Sequence, residues 1–442
     1  MKQQLYEKME SMFHLIAHDY QPATPLEILC TQLARGNAFD MRVVGLEGVR
    51  RLRSQDPDCA ITFKPNHLSE ADFILLTLLF RENQLRVLIE GGANLFIEDI
   101  DLLQDVLPDM MGPGAKQWLE NRHMSMAQYL TRRGSFKVYR EPQKVTLENG
   151  EEHDLNRKEI LSLTRAYRYH LVKQKSMYVT FPGYSPVKTG LLDILKKNEM
   201  KTGRSYTGQI EGFHHLPFQM DIEASLFSTT KVYIVDVNIA YEKILEDELF
   251  AELARLHDIG KSKKEIYAQD LDYILRGFLG QRPTANLSIK FGEPRLVPAA
   301  ALKDPFLTRK IKNSAHEQAA RSYDTVMTMQ PIFPANIYFS AFDANFNRLG
   351  EHVLLERINN LRQQLPNLTY GRDNRPLDLH YLLDYNHQII SANEIINRTL
   401  RLFNTPGHIT TTRDGDMFAV YNKDVASQYR NHTAHFFKTQ AR

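Results

Sequence analysis

Residues 61–80 constrain the fold of this chain more than any other stretch. A short β-type run at 60–63 stops at Pro65, and after a polar turn an apolar run follows at 73–80. The spacing predicts a helix opening near Glu70, with Ser69 as its N-cap and Asp72 three residues on in an S-x-x-D capping pattern. His67 then lies in the strand-to-helix turn and Asp72 in the first helical turn. Inside one helix, five residues are about 500° of rotation and would put two side chains on different faces. The turn is what lets the pair meet. An imidazole with one nitrogen held by a carboxylate and the other facing a substrate hydroxyl is the arrangement of a general base. The plainer alternative is an Asp that caps the helix beside a surface histidine.

β-type runs recur at 41–46, 85–90, 136–140, 176–181, 231–240 and 285–291, separated by helix-like segments that include a long basic one at 156–174. Strands alternating with helices predict an α/β fold with a mixed, largely parallel sheet flanked by helices. Residues 1–40 read as a helical N-terminal region, 41–300 as the α/β domain and 301–442 as a mainly helical C-terminal region. Within that plan, 97–133 reads as a helical excursion and 143–155 as a polar loop. One late hairpin is expected around Arg413-Asp-Gly-Asp416.

At 442 residues the chain has room for two or three domains. A net charge of +2 gives no reason to expect a nucleic-acid partner. Two cysteines, Cys30 and Cys59, are too few for a disulfide framework, fit a reducing compartment, and read as core thiols. No stretch reaches the roughly 18 apolar residues of a membrane span, and the first residues lack an apolar signal core. The expected location is the cytoplasm, held peripherally on the cytoplasmic face of a membrane. Basic stretches at 49–53, 132–133 and 307–312 could hold an anionic membrane surface, each cation contributing about 1 kcal/mol. Ordinary solvated faces explain them nearly as well.

A single H-x4-D is common by chance, but this one has ordered company. Gly91-Gly-Ala-Asn-Leu-Phe96, Gly134-Ser-Phe-Lys-Val-Tyr-Arg140 and Gly203-Arg-Ser-Tyr-Thr-Gly208 follow it. Val235-Asp-Val-Asn-Ile-Ala-Tyr-Glu-Lys243, Leu287-Ser-Ile-Lys-Phe-Gly-Glu-Pro294 and Tyr429-Arg-Asn-His-Thr-Ala-His-Phe436 come after. In this order, from about residue 40 to 436, the chain resembles the glycerol-3-phosphate acyltransferase family, in its glycerol-3-phosphate/dihydroxyacetone-phosphate branch. The resemblance implies a glycerolipid acyltransferase-like fold and the first step of phospholipid synthesis. An acyl group would pass from acyl-CoA or acyl-carrier protein, as co-substrate, to the sn-1 hydroxyl of glycerol 3-phosphate. His67 would be the base and Asp72 its orienting partner, with no resident cofactor or metal.

The anionic acceptor needs cations, and arginine's planar fork suits phosphate. Arg140 and Arg204 are the candidates, with Ser205 as a supporting donor and Lys188 as an added point charge. One departure stands out: Gly183 occupies the position where the family carries a glutamate, and the Gly-Arg-Ser motif follows about twenty residues later, as an insertion would place it. This motivates a rival expectation, a catalytically degenerate member that only binds acyl chains or a membrane. Dihydroxyacetone phosphate or a lysophospholipid is the alternative acceptor. Leu256-His-Asp-Ile-Gly-Lys261 resembles a phosphohydrolase metal segment, but a helix end capped by Gly260 is the simpler reading.

Overall fold

The computed structural model describes residues 38–92, 125–132, 134–138, 142–146, 152–183, 212–255, isolated positions from 269 to 280, and 284–298, 307–342, 347–370, 375–405 and 408–438. Among the described residues, ten strands precede residue 300: β1 Phe39–Val44, β2 Ala60–Pro65, β3 Val87–Gly92, β4 Ser135–Val138, β5 Gln143–Thr146, β6 Glu152–Leu155, β7 Met177–Val179, β8 Val232–Tyr241, β9 Ala285–Phe291 and β10 Arg295–Leu296. The helices over the same stretch are α1 Leu46–Gln55, α2 Ala71–Glu82, α3 Met126–Arg132, α4 Arg157–Lys173, α5 His215–Ser228 and α6 Asp247–Arg255. Beyond them come α7 Leu307–Thr328, α8 Pro334–Ala341, α9 Glu351–Gln364, α10 Ala392–Phe403 and α11 Lys423–Lys438.

The chain is an α/β protein. Its central sheet runs in the order β1-β9-β8-β2-β7-β3-β4, with β10 paired to β8. Strands β8, β2, β7, β3 and β4 are mutually parallel. β1 and β9 are parallel to each other but run antiparallel to β8, so the sheet is mixed and mostly parallel. Two-residue alternation sorts the side chains. Ile61 and Phe63 of β2 share an apolar cluster with Leu75, Leu76 and Phe80 of α2 and with Val235, Val237 and Ile239 of β8. Ala60, Tyr178, Val232 and Ile234 face the other way, under Leu171 of α4, Phe218 of α5 and Ala315 of α7. Coverage on both faces is why β2 and nearly all of β8 are buried.

The first cluster continues into the C-terminal helices, through Ile337 and Phe339 of α8, Leu402 of α10 and Tyr429 of α11. α7 packs on α5 and β8 as part of the sheet's helical cover. The expected late hairpin is present as Thr411–Asp414 paired with Met417–Val420, and Arg348–Gly350 adds a third strand. Among the described residues no helix is long and apolar enough to cross a membrane.

Local chemistry accounts for the element ends. Asn156 caps α4: its side chain accepts from the backbone N–H of Lys158 and Glu159, and Glu159 accepts from that of Asn156. Gly45 joins β1 to α1 at φ +85°, and a Cβ there would stand 2.1 Å from the Phe291 carbonyl oxygen. Only glycine tolerates both the angle and the approach. The segment 143–155 is not a plain loop, because β5 and β6 pair within it as an antiparallel hairpin. Its strands are four residues each and carry a single apolar residue apiece, Val145 and Leu155, too few to show an alternation. The Asn149-Gly150 dipeptide between them is the signal that could have revealed it.

Candidate functional site

The site is built where β2 gives way to α2, at the carboxyl end of the parallel strands. Open α/β sheets present their ligand-binding crevices at that end. β2 stops at Pro65, and Asn66 extends its pairing with β8 by side chain: the Asn66 amide donates to the Ile239 carbonyl at 2.8 Å and accepts from the Ile239 N–H at 2.7 Å. Both bonds are buried, so the residue preceding His67 is locked to the neighbouring strand. Ser69 and Asp72 then bracket the start of α2, since the Ser69 hydroxyl accepts from the Ala71 N–H at 3.0 Å and Asp72 Oδ2 accepts from the Ser69 N–H at 3.2 Å. The described helix opens at Ala71.

Within this turn His67 Nδ1 lies 2.9 Å from Asp72 Oδ2. The same oxygen accepts from the Leu68 N–H at 2.7 Å, and Oδ1 accepts from the Tyr241 hydroxyl at 2.5 Å. Asp72 is fully buried. A carboxylate holding this many donors assigns the Nδ1–H tautomer to His67 and leaves Nε2 as the acceptor. Nε2 is 3.9 Å from Glu70 Oε1, beyond hydrogen-bond distance. The Phe181 ring tilts against the imidazole, with centroids 4.5 Å apart. An imidazole so held can accept a proton at Nε2 while Asp72 compensates the charge.

A second carboxyl group stands behind the turn. Glu246 Oε1 accepts from the Ser69 hydroxyl at 2.5 Å and from the Glu70 N–H at 2.9 Å. Burial pushes Glu246 up to about 8, and the Asp72 charge adds to the rise against the hydrogen bonds from Ser69 and Glu70. Burial likewise pushes the Tyr241 phenol well above its ordinary range, with Asp72 reinforcing it. Near neutrality Glu246 therefore holds its proton.

On the opposite face of the sheet the same strand ends carry a buried ionic cluster. Lys64 pairs with Asp221 of α5 at 2.6 Å, and Arg168 of α4 reaches Asp221 at 3.5 Å, Glu90 at 2.7 Å and the Thr180 hydroxyl at 2.5 Å. Tyr178 donates to Asp221 at 2.8 Å. Burial lowers Lys64 to about 8, against the pull of Asp221. For Arg168 burial opposes the charge, but Asp221 and Glu90 outweigh it and raise its proton affinity. Lys64, Thr180 and Glu90 come from the adjacent strands or strand ends of β2, β7 and β3, so the cluster ties together the strand ends that border His67.

Of the residues singled out in the sequence, His67 and Asp72 are brought together. Arg140, Lys188, Arg204 and Ser205 lie outside the described residues, as do the 203–208 motif, the 256–261 segment, Cys30 and the region 1–37. Cys59 is buried. Gly183 sits beside the Phe213 ring, where an added Cβ would be in ordinary contact at 3.7 Å. Sequence reasoning missed the parts played by Asn66, Phe181 and Glu246. Tyr241 lay inside a motif already noticed, whereas Glu246 sits in an acidic run that reads as an ordinary helix start. No protein-family model matches the chain, and no curated protein matches it either.

Proposed function

We propose that this chain is a glycerol-3-phosphate 1-O-acyltransferase. The observation that carries the reading is the buried His67–Asp72 pair, with Nε2 outside the carboxylate's hydrogen bonds. The ordered motifs from 91 to 436 supply the substrate class. In the proposed reaction His67 Nε2 takes the proton of the sn-1 hydroxyl as that oxygen attacks the carbonyl carbon of acyl-CoA or acyl-carrier protein. The tetrahedral intermediate collapses, the C–S bond breaks, and the departing thiolate takes the proton back from the imidazolium. Arg140 and Arg204 are proposed to hold the phosphate, aided by Ser205 and Lys188, so that this hydroxyl and not water is near the thioester. The chain would act peripherally on the cytoplasmic face of a membrane, using its basic stretches.

The test is thiol release from palmitoyl-CoA with and without glycerol 3-phosphate, for wild type and His67→Ala. Loss of a general base removes about 10²- to 10⁴-fold of rate. Acceptor-dependent release that vanishes in the variant supports the reaction and the base. Release that survives in the variant overturns the role of His67. No release with this donor, with acyl-carrier protein, or with dihydroxyacetone phosphate and lysophospholipid acceptors would leave the binding-only reading, which Gly183 motivates, in front.

A further inference from the structure

The proposed mechanism uses His67 and Asp72 and leaves two buried side chains of the β8–α6 connection without a part. Tyr241, the last residue of β8, closes the free oxygen of Asp72, and Glu246 takes both donors at the start of α2. Glu246 Oε2 is buried with no hydrogen-bond partner among the described residues. We infer that Tyr241 and Glu246 are positioning residues for His67, Tyr241 by fixing the rotation of the Asp72 carboxylate and Glu246 by holding the Ser69–Glu70 turn against it. The inference rests on the reading of His67 as the base.

The two act differently. The Tyr241 hydroxyl draws charge from Asp72 that would otherwise hold the imidazolium, so it sets the proton affinity of His67 as well as its angle. Glu246 acts on geometry: without it the Ser69 hydroxyl and the Glu70 N–H lose their acceptor in a buried place, and the turn that aims Nδ1 at Asp72 relaxes. Among the described residues, the groups facing His67 are Asp72 and Glu70 from the α2 start, Phe181 after β7, and, through Asp72 and Ser69, Tyr241 and Glu246.

The experiment is a histidine-nitrogen NMR titration of the full chain, with the His67 signal assigned by its loss in His67→Gln. Tyr241→Phe should raise the His67 midpoint by about half a pH unit and lower kcat while leaving the KM for glycerol 3-phosphate in place. Glu246→Ala should replace the single Nδ1–H tautomer by a mixture, and Glu246→Gln, which keeps the Oε1 acceptor, should restore it. A His67 midpoint and tautomer that match wild type in both Tyr241→Phe and Glu246→Ala would overturn the inference. If Glu246→Ala does not fold, the Tyr241→Phe midpoint decides alone. The titration needs no turnover, so the two readings fail separately. A shifted midpoint in a protein that transfers no acyl group retains the positioning and removes the reaction. His67-dependent transfer with an unmoved midpoint does the opposite.

Discussion

At the scale of single residues, the protons of the site are set by burial first and by neighbouring charge second. Glu246 is the sharpest case. Its folded value of about 8 stands above the 4.5 of a free glutamate, so its contribution to stability is complete below about pH 4.5. Between there and about pH 8 the folded state keeps a proton that the unfolded chain has released. Stability then falls by about 1.4 kcal/mol per pH unit. Above about 8 the contribution is gone. Lys64, lowered to about 8 by burial, works in the opposite sense only above that pH, so it does not mask the effect. Melting temperatures followed from about pH 5 to 8 should decline in wild type and decline much less in Glu246→Gln. Parallel declines would show that Glu246 does not hold its proton. None of this was legible from residue types. Glu242, Glu246, Asp247 and Glu248 stand close together in sequence; the fold buries the first three and burial raises Glu242 as well as Glu246, which residue type alone does not show.

At the scale of elements, the strands were the most readable part of the chain, because their alternation is a local property. β9 was expected at 285–291 and lies there, and β8 was expected one residue earlier than it begins. The hairpin of β5 and β6 escaped because each strand is four residues long with one apolar residue, Val145 or Leu155, too little for a period to show. The junctions between elements are the sensitive points. Gly45 has a left-handed φ and no room for a Cβ against the Phe291 carbonyl. Gly45→Ala should lower stability by about 2 kcal/mol or more, read as a reduced urea midpoint, and an unchanged midpoint would show that the β1–α1 junction adjusts. Asn66 is a second such point. Its amide takes the place of a peptide group in the β2–β8 ladder, so Asn66→Ala should cost about 2 kcal/mol and loosen His67 as well, measurable as lower stability together with broadened His67 NMR signals.

At the scale of the whole molecule, the C-terminal helices hold the turn that carries Glu246. The Tyr429 hydroxyl of α11 accepts from the Ile244 N–H at 2.7 Å and donates to Asp247 Oδ2 at 2.7 Å, while Lys243 donates to the Leu402 carbonyl at the end of α10. Tyr429 is fully buried. Tyr429→Phe removes the one hydroxyl that Ile244 and Asp247 share, and should destabilise by about 2–3 kcal/mol, seen as a lower melting temperature; a melting temperature equal to wild type would show that α11 does not brace this turn. The sequence by itself determined the strand and helix pattern, and it put His67 and Asp72 within reach of each other, because periodicity, capping and a five-residue turn act over short spans. Only the tertiary structure decided which strands are neighbours, that β1, β9 and β10 run against the other five strands of the central sheet, and that Tyr241 and Glu246 meet the His67–Asp72 turn. Those contacts join residues 169 and 177 positions apart. No local preference encodes such a meeting; it follows from burying both faces of one sheet at once.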